Sequence, residues 1–277
     1  MRKPIVSIII PAYNEEEVIE RLLLSINAQS YPNIECIVVD DASTDSTPDI
    51  AKALATKVYS RKHFERSVQR NFGASKANGD YLLFLDADMA LTKNVVAQCI
   101  YVMQRDGSIG AVAIPEESVA KNFWEKVKAY ERSFYNEKGD SLTDAARFFS
   151  KKAFKEVKGY DESITGPEDW DLPERVLANG YKIARVKAKI LHYERVSSPL
   201  GLARKKYYYA LTSYRYLKKH NISPVSAKTI YFLRPVFYQN WKRIIAHPVL
   251  GISMILVFCM ELVGGGLGYT VGRIKKL

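Results

Sequence analysis

Carboxylates collect where the apolar runs of this chain end. Residues 81–85 run straight into Asp86-Ala87-Asp88, and residues 34–39 run into Asp40-Asp41-Ala42-Ser43. A third run, residues 5–10, leads into Pro11-Ala12-Tyr13-Asn14-Glu15. One Asp at such a point is usually a turn or capping residue. Several on one edge repel each other unless a cation or a polar ligand lies between them. Oxygen ligation of this kind suits Mg²⁺ or Mn²⁺ better than zinc, and such an ion commonly bridges phosphates and neutralises a leaving diphosphate. Neither G-x-G-x-x-G after the first apolar run nor G-x-x-x-x-G-K-[ST] is present. A nucleotide here is therefore not expected on a glycine-rich turn.

The elements that would position these groups alternate along the first half. Residues 5–10, 34–40, 81–86 and 109–114 read as buried strands, and residues 15–29, 43–55, 67–78 and 93–106 as helices. The first of these helices places Val18, Ile19, Leu22, Leu23 and Ile26 on one side. Apolar runs separated by helices indicate parallel strands covered on both faces, an open α/β sheet. Ligands of such sheets sit beyond the carboxyl ends of the strands. Residues 121–138 carry Phe123, Val127, Tyr130 and Phe134 at helical spacing, which fits core packing or a wall over an acceptor. Further on, Gly166-Pro167 precedes a helix and puts Glu168 and Asp169 near its N-terminus. Acids there also satisfy free N–H groups and the helix dipole.

Charge divides the 277 residues unevenly. Residues 1–199 hold 28 Lys and Arg against 29 Asp and Glu; residues 200–277 hold 13 against a single acid, Glu261. The expected organisation is a near-neutral catalytic domain over 1–199 and a basic, aromatic-rich helical region over 200–277. Within the latter, residues 204–246 mix ten basic with ten aromatic residues, and residues 248–271 carry one charge, Glu261. That last stretch exceeds the roughly 20 residues needed to cross a bilayer. It favours membrane contact over a nucleic-acid surface, although Glu261 and the Gly264-Gly265-Gly266 run weaken the case for one straight lipid-facing helix. Arg273, Lys275 and Lys276 flank the far end, so charge assigns no orientation. Residues 5–10 are too short and wrongly flanked for a signal peptide. Cys36, Cys99 and Cys259 are scattered and form no CxxC pair, which suits a reducing cytosol and gives no zinc ribbon or disulfide framework.

The ordered set P-A-Y-N-E (11–15), V-D-D-x-S-x-D (39–45), R-N (70–71) with G-D-Y (79–81) and D-A-D (86–88), then E-D (168–169), resembles family 2 glycosyltransferases of the GT-A fold. The resemblance covers about residues 4–195. It implies a mostly parallel Rossmann-like sheet and transfer of a sugar from a nucleotide donor, uridine before guanosine. Pro11, Ala12 and Tyr13 would shape the nucleotide pocket with Glu15 nearby, and Asp41 would meet the base or ribose. Arg70 would lie near the nucleotide, and Asp86 would contact the ribose or sugar. Asp88 would bind Mn²⁺ or Mg²⁺ on the diphosphate, with His192 completing the metal site. Asp169 corresponds to the family's catalytic base, and Glu168 and Arg147 fall on the acceptor side. The Q-x-x-R-W motif of processive members is absent after Asp169, which implies one inverting transfer per encounter. The basic region suggests a lipid-linked glycan acceptor at the cytoplasmic face of the membrane, with no nucleic-acid partner. Two alternatives remain: a polyprenyl- or dolichyl-phosphate sugar transferase, and a nucleotide-sugar-binding protein without catalysis.

Overall fold

The computed structural model describes residues 3–136, 139 and 145–276. Contacts divide the chain into two compact units: residues 1–116, 145–162 and 168–192, and residues 117–144, 163–167 and 193–277. Residues 193–199 thus group with the C-terminal helices.

The first unit opens with β1 (Val6–Ala12), α1 (Ile19–Asn27), β2 (Ile34–Asp40), α2 (Thr47–Leu54), β3 (Lys57–Ser60) and α3 (Arg66–Lys76). The chain continues with β4 (Tyr81–Phe84), β5 (Met89–Leu91), α4 (Val95–Arg105), β6 (Ile109–Ala113) and β7 (Glu116–Val119), whose last three residues group with the second unit. After α5 (Phe123–Arg132) come β8 (Ala146–Ser150), α6 (Lys151–Glu156), α7 (Glu168–Ala178), β9 (Lys182–Arg185) and β10 (Ile190–Tyr193). Seven strands form one sheet in the order β3-β2-β1-β4-β8-β6-β9, and a smaller sheet is ordered β5-β10-β7.

The central strand explains the apolar runs. β1 pairs in parallel with β2 on one side and β4 on the other. Successive side chains point to opposite faces. Ile8 and Ile10 pack with Leu22, Leu23 and Ile26 of α1, whereas Ile9 packs with Phe84, Phe149 and Tyr160 on the opposite face. Both faces are covered, so the strand reads as a run rather than an alternation. Each such side chain contributes about 1.5–3 kcal/mol of burial.

The expected mostly parallel sheet is present, with one exception. β8 runs antiparallel between β4 and β6. Its first residues therefore lie at the edge where β4 and β6 end. The helices expected at 15–29 and 43–55 are shorter than those ranges, at Ile19–Asn27 and Thr47–Leu54. The Glu15 carbonyl accepts the N–H groups of Val18 and Ile19, and the Glu15 N–H donates to Thr47 Oγ1 at 2.7 Å, so this backbone serves the β1 loop. Gly79 is demanded by close approach: a Cβ there would lie 2.6 Å from Ser7 Oγ and 2.8 Å from the Ile5 carbonyl.

In the second unit, α5 is held by a capping box between Asn122 and Glu125. Val127, Tyr130 and Phe134 are buried with Phe237, Met254, Val257 and Phe258, so core packing accounts for these residues. Residues 137 and 138 of the expected helix lie outside the described residues. The basic segment forms α8 (Pro199–Lys219), a 3₁₀ turn (Tyr231–Leu233), α9 (Pro235–Gln239) and α10 (Trp241–Ala246). It ends in α11 (Pro248–Lys275), a helix long and apolar enough to cross a membrane.

The glycines do not interrupt α11. A Cβ at Gly264, Gly268 or Gly272 would stand 2.3, 2.2 or 1.8 Å from the carbonyl oxygens of Ala203, Tyr207 or Leu211. These glycines are the stripe on which α8 rests, backbone against backbone. Gly268→Val should therefore force the two helices apart. Overpacking of this kind costs about 1–3 kcal/mol, read as a lower melting temperature; an unchanged melting temperature would refute the close approach.

Candidate active site

Register brings the predicted residues together. Parallel pairing aligns Ala12 with Asp40, and the Asp41 N–H donates to the Ala12 carbonyl at 2.8 Å. The two strand-end loops are stitched further by Asn14 and Ser43: the Asn14 N–H donates to Ser43 Oγ, and Asn14 Oδ1 accepts the Thr44 N–H. Asn14 and Ala42 take positive φ at 52° and 64°, a turn conformation that Asn tolerates better than Ala. Tyr13 is left exposed, while Ala12 is buried.

Asp41 is more occupied than its expected role suggests. Its Oδ1 accepts the Phe64 N–H at 2.9 Å and the Gln69 amide, and its Oδ2 lies 2.8 Å from His63 Nδ1. The His63 ring sits 4.9 Å from that of Tyr13. His63 was invisible in the sequence, where a lone His carries no signal, yet the fold sets it between two predicted donor residues.

A chain of ion pairs forms the centre. Arg70, on α3, is fully buried; its guanidinium donates to Asp86 Oδ1 at 2.6 Å and to Asp169 Oδ1 at 2.8 Å. The Tyr160 ring lies 5.2 Å from the guanidinium carbon. Arg147 donates from Nε to Glu116 Oε1 at 2.8 Å and from Nη1 to Asp86 Oδ2 at 3.4 Å. Glu116 Oε2 lies 3.0 Å from His192 Nδ1, and His192 Nε2 lies 3.6 Å from Asp88 Oδ2. Asp169, Arg70, Asp86, Arg147, Glu116, His192 and Asp88 are thus linked in sequence.

The topology explains each link. The antiparallel β8 sets Phe148 opposite Leu83, which carries Arg147 toward the end of β4 and Asp86. β10 pairs with β5 so that His192 faces Met89, one residue from Asp88. Glu116 begins β7, three residues after β6 ends. Sequence reasoning missed Glu116, Tyr160 and Arg66, because their roles arise from contacts distant in sequence.

The cation expected between the acids is supplied in part by the protein. Burial alone would raise the Asp86 carboxyl, but the nearby guanidinium of Arg70, followed by Arg147 and Arg66, holds it well below the usual carboxylate range. Burial would lower the two central arginines, yet their acidic neighbours keep Arg70 and Arg147 above the ordinary guanidinium value. Glu168 is 1% exposed and pairs with Arg66 at 3.0 Å. Burial raises its carboxyl, with Arg66 opposing and Asp169 adding to the rise, and its Oε2 has no partner among the described residues. Asp88 differs from Asp86. No arginine pairs with it among the described residues, and its buried Oδ1 lacks a hydrogen-bond partner.

The protein's own donors fit a divalent ion in one respect. Asp88 and His192 supply a carboxylate and an imidazole side by side, and the orphaned Asp88 Oδ1 is an available oxygen. No group of three or more His, Cys, Asp or Glu suited to a metal occurs among the described residues. An ion at this place would need ligands beyond the protein.

The sequence pattern described as glycosyl transferase family 2 matches residues 7–157, more than half of the chain. The chain belongs to glycosyl transferase family 2. A second pattern, the N-terminal domain of galactosyltransferase, matches residues 129–198. A beta-monoglucosyldiacylglycerol synthase of Nostoc is 28% identical over 220 residues, covering 72% of this chain and 47% of the synthase. The chain spans less than half the length of several curated relatives that it matches. Among solved structures, the mannosyltransferase PcManGT of Pyrobaculum calidifontis, in complex with GDP-Man and Mn²⁺, aligns with a TM-score of 0.61 at 18% identity. That alignment covers 100% of this chain and 82% of PcManGT. S. aureus TarS 1-349, in complex with UDP-GlcNAc, aligns with a TM-score of 0.58 at 17% identity, covering 98% and 91% of the two chains. The likeness establishes the GT-A fold for this family member.

Proposed function

We propose that this chain is an inverting, non-processive glycosyltransferase that moves one sugar from a nucleotide-sugar donor, a uridine diphosphate sugar first, to a hydroxyl of a lipid-linked acceptor. The single observation that carries the reading is the linked chain from Asp169 through Arg70 and Asp86 to Asp88. It gathers the D-x-D and E-D acids of the family in one network, with different partners for each. The proposed division keeps catalysis in residues 1–199 and membrane contact in residues 200–277.

In this mechanism Pro11, Ala12, Tyr13, Glu15 and Asp41 receive the nucleotide, with Asp86 toward the ribose or sugar. Arg70 acts from beneath, since it is fully buried, and fixes both Asp86 and Asp169. Asp169 takes the proton of the acceptor hydroxyl. The acceptor oxygen forms its bond to the anomeric carbon as the bond to the diphosphate breaks, and the diphosphate leaves with the electron pair. Arg147 and Glu168 hold the acceptor side electrostatically. Asp88 and His192 would hold Mn²⁺ or Mg²⁺, which supplies positive charge to the leaving diphosphate. Glu116, against His192 Nδ1, orients the imidazole so that Nε2 points to Asp88.

The lipid-linked acceptor is supported by the apolar α11 and by the diacylglycerol named for the Nostoc relative. A thermal-shift screen of uridine and guanosine diphosphate sugars, with and without Mn²⁺, tests the donor site. The matching donor should raise the melting temperature only with the metal, because a ligand that binds the native state stabilises it. A shift for no nucleotide sugar would overturn the reading.

A further inference from the structure

We propose that α11 does not cross the bilayer but lies in the plane of an anionic membrane surface, one stripe against protein and the opposite stripe in lipid. This inference rests on the membrane reading above and decides between a helix that spans the bilayer and one that lies along its surface.

Opposite stripes of α11 have opposite surroundings. Gly251, Met254, Val257, Glu261, Gly264 and Gly268 face inward. Val249, Ile252, Leu256, Val263, Leu267 and Ile274 are exposed and follow helical spacing over nearly the whole length. From Val249 to Ile274 that apolar stripe is about 38 Å long. The helix's only acid, Glu261, is turned inward, where Glu261 Oε1 lies 3.3 Å from Lys128 Nζ.

The inward stripe cannot be given to lipid. Gly264, Gly268 and Gly272 meet Ala203, Tyr207 and Leu211 in rising order, so α8 runs parallel to α11 along its C-terminal half. α8 bears the exposed cations Arg204, Lys205, Lys218 and Lys219. Sinking this half of α11 into hydrocarbon would carry those charges with it, against a strong penalty. α8 begins only four residues before Ala203, which leaves residues 248–259 of α11 clear of it. Twelve residues span about 18 Å, well short of the roughly 30 Å hydrocarbon core.

Charge complementarity selects the occupant. Lys218 and Arg273 line one cavity of about 380 Å³ with Tyr214, Tyr269, Leu217 and Ile222. Neither cation has an ion-pair partner among the described residues. The exposed Trp241, Lys242 and Arg243 lie just before α11. An apolar stripe bordered by cations and aromatic residues fits an interface rich in lipid phosphates.

The full-length chain is floated with vesicles of phosphatidylcholine, with and without phosphatidylglycerol. Flotation should be stronger with phosphatidylglycerol and should fall at least severalfold when Lys218→Gln and Arg273→Gln are combined. Depth is then read from a fluorophore quenched by lipid-borne nitroxides. It is placed on the exposed native Cys259, or on Val249→Cys or Ile274→Cys in a Cys259→Ser background; Cys36 and Cys99 are buried. An in-plane helix gives three depths equal within about 5 Å, one helical pitch. A spanning helix gives ends about 15–22 Å shallower than Cys259, which overturns this inference and leaves the membrane reading intact. Failure to float with either vesicle overturns both. A lipid-free dimer that protects Cys259 from labelling would assign the stripe to a second copy and refute the proposal.

Discussion

Asp169→Asn should remove sugar transfer while leaving donor binding in place. Asp169 stands in the first turn of α7, partly exposed, with Arg70 Nη1 2.8 Å from its Oδ1. The amide can still accept a hydrogen bond from Arg70, so the site should keep its shape. It cannot take a proton from an acceptor hydroxyl. General-base catalysis is typically worth about 10²–10⁴-fold, and the rate of transfer should fall by that amount. The metal-dependent thermal shift with donor should survive. Retained transfer at near wild-type rate would favour a phosphate acceptor, which needs no base. Loss of the donor shift together with activity would point to collapse of the site instead.

Arg70→Met should produce the largest loss of stability. The wild-type guanidinium is fully buried and neutralises Asp86 and Asp169 together. Methionine fills comparable space but leaves both carboxylates without that partner. Removing one member of a buried ion pair costs about 3–5 kcal/mol, measured by chemical denaturation. The pH dependence carries a sign. The folded-state pKa of Asp86 is depressed, chiefly by Arg70 acting against burial. Its stabilising contribution is therefore present above the unfolded value of about 3.9 and is lost as pH falls below it toward the depressed folded value. Without Arg70 that contribution disappears, so the gap between wild type and variant should be widest at neutral pH. It should narrow as the solution is acidified through the carboxylate range. A gap under about 1 kcal/mol, the scale of an exposed pair, would show that Arg70 does not organise the site. Arg70→Lys keeps the charge but not the fork that reaches two carboxylates, and should fall between the two.

The two variants probe different parts of one arrangement. Asp169 is proposed to touch the reacting hydroxyl, and its effect belongs to the rate. Arg70 is proposed to act through Asp86 and Asp169, and its effect begins in the fold.

Much of this molecule was legible in its residues. The apolar runs at residues 5–10, 34–40 and 81–86 marked β1, β2 and β4, because strands covered on both faces cannot alternate. The same runs fixed where their carboxyl ends lie, and the acids there marked one edge as the place for chemistry. The glycines at 264, 268 and 272 could be counted, although their work could not. Short strands such as β5, β7 and β10 were not legible, since three or four residues carry too little periodicity.

Tertiary structure alone decided the partners. Arg70 in the sequence is one basic residue on a helix; only folding places Asp86 and Asp169, 16 and 99 residues away, on its two arms. The antiparallel insertion of β8 brings Arg147 to Asp86, and the register of β10 on β5 brings His192 to Asp88. These distinctions separate two carboxylates that look alike in Asp86-Ala87-Asp88: one neutralised by arginines, the other with an oxygen left over. Types and spacing of residues determine which elements form and which chemistry is available. Which charge meets which is settled by packing, because the Coulomb energy of a buried pair depends on ångström separations that no local pattern encodes.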